Sequence, residues 1–195
     1  MKIILVRHGQ TEWNLLGKYQ GHTDISLNET GRGQALRAAE YLAAEEKVEA
    51  IYCSDLKRTR ETADIIAGKL NLPVTCDPRL RELSFGLWEG LTFNEVYERY
   101  PQDFDHWFNN TCEMNVPQGE SFNQLKSRAV KAVEEISQKH KGTVVVVTHG
   151  GTIKALLHYI NNDNCLWKTV VEPGSLTYLA IEENNMKVLR KGVKL

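Results

Sequence analysis

The sequence predicts an α/β protein: a three-layer α/β/α sandwich around a mostly parallel sheet, with a small helical lid. Short apolar, β-branched runs alternate along the chain with segments of helical periodicity, a pattern typical of this class. A chain of 195 residues is long enough for one hydrophobic core and too short for two ordinary domains. We therefore expect a single domain over residues 1–195, with the lid at about 85–120.

Five segments have the composition of strands. Residues 2–6, 50–53 and 143–148 are continuously apolar or β-branched, and the last contains four consecutive valines. Continuous apolar runs are typical of parallel strands that are covered on both faces. Segments 176–181 and 187–189 are predicted to close the sheet.

Helical periodicity covers the stretches between these strands. It extends over 29–46, 57–70 and 151–160. A further helix is predicted after Ser121, because Gln124 stands three residues later, as in a capping box. Its apolar face is marked by Phe122, Leu125, Ala129, Val133 and Ile136.

Aromatic residues are concentrated in one stretch that interrupts the alternation. Residues 85–108 contain eight of the sixteen aromatics: Phe85, Trp88, Phe93, Tyr97, Tyr100, Phe104, Trp107 and Phe108. We predict a helical excursion from the sheet that covers a site. For most of the rings, packing against one another is the better interpretation.

Composition excludes several classes of protein. A formal net charge of −1 argues against a general nucleic-acid binder. The longest apolar runs, 3–6 and 144–147, are too short to span a bilayer, and Arg7 and His8 interrupt the first before it could act as a signal peptide. We expect neither nucleic acid nor a membrane as partner.

A homodimer is left open, because the apolar stretch 175–181 could be a pairing edge strand or could be covered.

The four cysteines are Cys53, Cys76, Cys112 and Cys165, and their spacing matches no CxxC or other metal-ligand pattern. They are interpreted as reduced thiols, which indicates the cytoplasm.

Charged residues follow three of the predicted strands at their ends. Arg7 and His8 follow the first, Arg58 lies one helical turn beyond the second, and His149 and Gly150 follow the valine run. Parallel strands would bring these side chains to one rim, where ligands bind. Arginine forks match phosphate oxygens, and a helix beginning near Gly150 would add its positive end. Taken singly, however, each of these residues could have a structural role and no part in binding a ligand.

The paired histidines could instead bind a metal ion. Arg7 stands directly beside His8, and a fixed cation there would repel a divalent ion. No HxxxH or CxxC spacing supplies further ligands. We therefore expect no metal and no cofactor.

Five blocks of the sequence resemble motifs of the histidine phosphatase superfamily, in its phosphoglycerate-mutase-like branch. In chain order they are LVRHGQTEWN at 5–14, SDLKRT at 54–59 with Thr62 and Ala63, LREL at 80–83 with GLWEG at 86–90, PQGES at 117–121 and VTHGG at 147–151.

The resemblance implies a role for each matching residue. Arg7, Arg58 and His149 would form the phosphate pocket around His8, the nucleophile. Glu82 would donate a proton to the leaving group. Further substrate-binding positions would be Asn14, Gln20, Gly21, Thr23 and Gly150.

The chemistry of these residue types is consistent with such a reaction. Neutral imidazole is nucleophilic near pH 7, and phosphoryl transfer to His8 would split one displacement into two easier ones. The arginines would neutralise the equatorial oxygens in the transition state. A backbone carbonyl is expected to hold the second ring nitrogen of His8. Asp55 and Glu89 are nearby acids that rank below Glu82, as a turn cap and a surface residue.

Three functions are compatible with this reading. The first is a phosphomonoesterase acting on a small phosphorylated metabolite, the second a phosphoglycerate mutase, and the third a catalytically silent phosphate-binding protein. The chain is short for a mutase of this family, which favours the phosphatase. Among substrates, the aromatic lid favours α-ribazole 5′-phosphate, from the cobalamin pathway, over phosphoserine.

Overall fold

The structure is a computed structural model, and it describes residues 1–110, 112–161, 169–182 and 185–195. Cys165 lies outside the described residues. One six-stranded sheet occupies the centre, in the order β3-β2-β4-β1-β5-β6. The strands are β1 (Lys2–Arg7), β2 (Val48–Cys53), β3 (Val74–Cys76), β4 (Thr143–Thr148), β5 (Leu176–Glu182) and β6 (Asn185–Val193).

Helices cover both faces of this sheet. They are α1 (Glu12–Leu15), α2 (Glu29–Glu45), α3 (Lys57–Leu70), α4 (Phe93–Arg99), α5 (Pro101–Asn109), α6 (Phe122–Lys139) and α7 (Gly150–Asn161). Apolar residues of α2 and α3 pack on one face of the sheet, and those of α6 and α7 pack on the other. The predicted three-layer sandwich is therefore confirmed, as is the capping box in which Ser121 and Gln124 bond each other's backbone N–H groups.

Parallel pairing aligns the strand ends that carry charge. β4 pairs in parallel with β1 on one side and with β2 on the other. Arg7 lies opposite Thr148, and Cys53 opposite Val147, so all three strands end at one level. The residues that follow these strands consequently meet at one edge of the sheet.

Two elements and one strand position differ from expectation. The short strand β3 and the single-turn helix α1 were not predicted, since runs of three or four residues carry too little periodicity to be recognised. The stretch 175–181 is not an edge strand, because β5 pairs with β1 and also with β6. An exposed edge at 175–181 therefore provides no basis for a homodimer.

The predicted lid is helical and has a small core of its own. Trp88, Phe104 and Trp107 are buried together with Val96 and Val116, and this cluster rests on Leu125 of α6 and Ala155 of α7. Most of the aromatic rings therefore pack against one another. Among the described residues, no helix is long and apolar enough to cross a membrane.

Candidate active site

His8 lies immediately beyond β1 and is 2% exposed. Its Nδ1 is 2.7 Å from the carbonyl oxygen of Gly9. A carbonyl only accepts hydrogen bonds, so Nδ1 carries the hydrogen and Nε2 keeps its lone pair. Burial lowers the pKa of His8 well below its usual value, and the charges of Arg58 and Arg7 lower it further. His8 is therefore a neutral imidazole with Nε2 available for attack, as the sequence predicted.

Two arginines supply the positive charge around His8. Arg58, on α3, is fully buried and donates from Nη2 to the Gly21 carbonyl at 2.7 Å and from Nη1 to the Thr23 carbonyl at 2.9 Å. Arg7 donates from Nη1 to the Val171 carbonyl. Among the described residues, the Nε atoms of both arginines are buried and have no hydrogen-bond partner. Burial lowers the pKa of Arg7 and that of Arg58, the latter to about 10, so the Arg58 guanidinium stays charged near pH 7.

His149 completes the cluster from the end of β4. It is fully buried, and its ring meets the His8 ring edge-on with centroids 5.2 Å apart. In the part of the chain that the structure describes, neither ring nitrogen has a hydrogen-bond partner. Buried polar atoms without partners are costly unless a ligand satisfies them. The N–H groups among these nitrogens, one on each arginine and one on the neutral ring of His149, can donate to the oxygens of a phosphoryl group.

Glu82 faces this cluster from the segment before the lid. Its Oε2 accepts the backbone N–H of Gly151 at 2.9 Å, in the first turn of α7, and its Oε1 accepts the N–H of Leu83. A Cβ on Gly151 would lie 2.2 Å from Glu82 Oε1, so a side chain at this position would displace the Glu82 carboxylate. Gly150 likewise lies against Arg7, since a Cβ there would be 3.4 Å from Arg7 Nε.

The predicted substrate-loop residues lie beside Arg58, and their carbonyls hold its guanidinium. Gln20 is 7% exposed and accepts a hydrogen bond from Thr11. Gly21 has a φ of +49°, which favours glycine, and its Cβ position is filled by the Glu89 carboxylate. Asn14 uses its Oδ1 in a capping box with Thr11, so its role as a phosphate ligand stays a prediction.

The interpretations of two nearby acids were wrong. Glu89 is not a surface residue: it accepts the N–H groups of His22, Thr23 and Phe85, and so ties the substrate loop to the lid. Asp55 is not a turn cap: both its oxygens bind Arg81, and these hydrogen bonds lower the pKa of its carboxyl. Arg81 is 26 residues from Asp55, and His22 is 67 residues from Glu89, so no local pattern reveals these contacts.

Arg128 of α6 is a further residue that sequence reasoning missed. It donates to the carbonyls of Arg79, Arg81 and Glu82 at 2.6–2.8 Å, and it forms an ion pair with Glu120. Glu120 in turn accepts the N–H of Ser84. This pair therefore holds the backbone on both sides of the Glu82 side chain. Glu120 falls in the PQGES block, which was the available signal.

A cavity of about 330 Å³ opens beside Arg7 and Glu82. Its walls include Phe85, Trp107 and Phe122, with Lys154 among them. Burial lowers the pKa of Lys154, and the nearby Glu82 opposes that shift. The cavity is large enough for the organic part of a small phosphate ester. Its walls are mainly apolar, and Lys154 adds a cationic side chain to that of Arg7.

The buried histidines predict a loss of stability in acid. Burial lowers the pKa of both His8 and His149, so the native state holds them neutral while the unfolded chain protonates them below about pH 6.5. The free energy of unfolding should then fall as pH drops, by up to about 2 kcal/mol per histidine at pH 5. Urea unfolding of the wild type, His149→Gln and the exposed-site control His106→Gln at several pH values measures this. His149→Gln should show a shallower decline than the other two proteins, and three parallel curves would contradict the prediction.

Several known proteins are similar to this chain in sequence. Residues 3–194 match the family model described as "Histidine phosphatase superfamily (branch 1)". The chain is 43% identical over 158 residues to the metal-independent phosphoserine phosphatase of Arabidopsis thaliana, covering 80% of this chain and 66% of that protein. It is 35% identical over 196 residues to phosphoserine phosphatase 1 of Hydrogenobacter thermophilus, covering 99% and 92%.

Solved structures of other proteins are similar to this fold over the whole chain. Bacillus stearothermophilus YhfR superimposes with a TM-score of 0.91 at 36% identity, covering 100% of this chain and 98% of that one. The α-ribazole phosphatase from Shigella flexneri superimposes with a TM-score of 0.87 at 25% identity, covering 100% and 98%. Because the family model spans nearly the whole chain and its relatives include phosphatases, this protein belongs to branch 1 of the histidine phosphatase superfamily and is a phosphatase.

Proposed function

We propose that this phosphatase hydrolyses the phosphomonoester of a small metabolite through a phosphohistidine on His8, without a metal ion. The state of His8 carries the proposal: a neutral ring held by Gly9, surrounded by buried nitrogens of Arg7, Arg58 and His149 that have no partner among the described residues. This combination provides a nucleophile and an anion site in one place. A silent phosphate-binding protein would need the cations but not a histidine in this state.

The reaction has two steps. Nε2 of His8 attacks phosphorus, the P–N bond forms and the P–O bond to the organic part breaks, while Glu82 gives its proton to the leaving oxygen. Water then attacks the phosphorus, the P–N bond breaks and inorganic phosphate leaves. The Glu82 carboxylate takes a proton from the water, which restores both residues. Arg7 and Arg58 hold the equatorial oxygens throughout. His149 starts neutral and donates one N–H to the phosphoryl group.

For the organic part we propose α-ribazole 5′-phosphate, of the cobalamin pathway. Phe85, Trp107 and Phe122 line the cavity next to Glu82, and stacking on one or two rings contributes about 1–3 kcal/mol. Phosphoserine is the second candidate. Lys154 lines the same cavity and its ammonium would pair with a carboxylate, and the two phosphoserine phosphatases above are relatives.

A substrate panel tests this choice. kcat/KM would be measured for α-ribazole 5′-phosphate, a purine nucleoside monophosphate, phosphoserine and 3-phosphoglycerate. The stacking cavity predicts that the ring-bearing esters are preferred. A preference of tenfold or more for phosphoserine, about 1.4 kcal/mol in the transition state, would exclude α-ribazole 5′-phosphate as the preferred substrate and a stacking role for the cavity. Assaying inorganic phosphate and 2-phosphoglycerate together distinguishes hydrolysis from the mutase reaction.

Metal independence is a separate prediction. The two arginines beside His8 already supply the positive charge that a metal would bring, so activity should be unchanged in excess EDTA. The assay compares initial rates before and after chelation and after addition of Mg²⁺, Mn²⁺ or Zn²⁺. Loss of activity on chelation, with recovery on adding one of these ions, would contradict the proposal.

The free thiols of Cys53, Cys76 and Cys112 support a reducing compartment, and we propose the cytoplasm.

A further inference from the structure

Two cysteines lie side by side at one edge of the sheet, apart from the phosphate pocket. Cys53 ends β2 and Cys76 ends β3, and the two are direct partners in the parallel register. Their Sγ atoms are 3.5 Å apart, and both thiols are free. Neighbouring strands are about 4.8 Å apart, which falls within the Cα separation that a disulfide accepts. Only a small movement therefore separates this pair from a covalent bond.

The two thiols have different surroundings. Cys76 is exposed, and Nη1 of Arg60 on α3 donates to its Sγ at 2.9 Å. Asp64 also binds Arg60, through Nε at 3.1 Å, and its negative charge partly offsets that of the guanidinium. Cys53 is fully buried, and burial raises the pKa of its thiol. Cys76 is thus the accessible sulfur, with a guanidinium at hydrogen-bond distance, and Cys53 is the protected sulfur beside it.

We propose that Cys53 and Cys76 form an oxidisable dithiol, which a hydroperoxide converts into an intramolecular disulfide. Cys76 releases its thiol proton, and the thiolate attacks one peroxide oxygen. The O–O bond breaks, and the leaving hydroxide takes up that proton, so a sulfenic acid and water are formed. The Cys53 thiol then attacks the sulfenic sulfur, the S–O bond breaks, and a second water leaves with the thiol proton. In sum, two thiols are oxidised by two electrons and one hydrogen peroxide is reduced to two waters.

The location of Cys53 and Cys76 near the edge of the sheet limits how far a disulfide between them would disturb the rest of the protein. β3 is a three-residue strand at the sheet edge, whereas β2 is held on its other side by β4. Closing the disulfide should therefore move β3 and leave β2, which leads to Arg58, in place. We expect the oxidised protein to keep its phosphatase activity. The disulfide would instead protect Cys76 from irreversible oxidation to the sulfinic and sulfonic acids.

Treatment of the full-length protein with hydrogen peroxide tests the proposal. Tryptic mapping without reductant should recover peptides 48–57 and 70–79 joined through Cys53 and Cys76, and dithiothreitol should separate them. Cys112, which is partly buried, is the internal control and should react about tenfold more slowly. Absence of the linked peptide while Cys76 is oxidised, or linkage of Cys76 between two molecules, would overturn the proposal.

Two variants separate the roles of the residues. In Cys53→Ser the sulfenic acid on Cys76 has no resolving thiol, so dimedone should trap it and excess peroxide should oxidise it further. In Arg60→Gln the thiolate loses its cation, so disulfide formation should slow several-fold while the linked product stays the same. Equal rates of Cys76 oxidation in Arg60→Gln and wild type would refute the role of Arg60. The readout is covalent, so it is independent of the phosphatase mechanism.

Discussion

We expect His8→Ala to lose at least about 10⁴-fold in kcat, because the first bond-forming step has no other nucleophile. The same variant should acquire no acid-labile label from a ³²P-substrate, whereas the wild type quenched in alkali should show label on His8. Both losses follow from the free lone pair on Nε2 and the carbonyl of Gly9 that holds Nδ1.

His149→Gln is the matched comparison for that experiment. It removes an imidazole from the same pocket but leaves the nucleophile, so it should slow turnover and still form label. Unchanged activity in His8→Ala, or label that persists in it, would end the phosphohistidine mechanism. Circular dichroism of both variants confirms that they fold.

Glu82→Gln should lower kcat/KM for an alkyl phosphate by about 10²–10⁴-fold, since the leaving alkoxide then receives no proton. For p-nitrophenyl phosphate the loss should be much smaller, because nitrophenolate leaves without protonation. The amide keeps the shape of the side chain but can accept only one of the N–H groups of Gly151 and Leu83 that the carboxylate accepts. The difference between the two substrates, and not the overall loss, therefore reports proton donation.

Arg128→Lys extends the Glu82 test, because Arg128 holds the carbonyls around Glu82 and touches no reacting atom. In Arg128→Lys the Glu82 side chain should be misplaced, so kcat/KM should again fall more for the alkyl ester than for the nitrophenyl ester, but by a smaller factor than in Glu82→Gln. Glu98→Gln, an exposed carboxyl on α4, serves as the control and should match the wild type with both substrates. Equal losses for alkyl and nitrophenyl esters in Glu82→Gln would mean that the proton comes from another group.

The sequence by itself determined the features that depend on local pattern. Continuous apolar runs identified β1, β2 and β4, and helical periodicity identified α2, α3, α6 and α7 to within a few residues at each end. The residues that follow those three strands were enough to group Arg7, His8, Arg58 and His149. This worked because parallel pairing brings strand ends to one level whatever the side chains are.

Only the tertiary structure decided contacts between distant parts of the chain. Arg128 reaches the Glu82 carbonyl across 46 residues, and Glu89 reaches His22 across 67. Neither residue belongs to a periodic pattern, because its position is set by packing of whole elements and not by its neighbours in sequence. The same applies to β5, whose apolar composition is typical both of an edge strand that pairs and of an inner one; its place depends on β6 pairing alongside it.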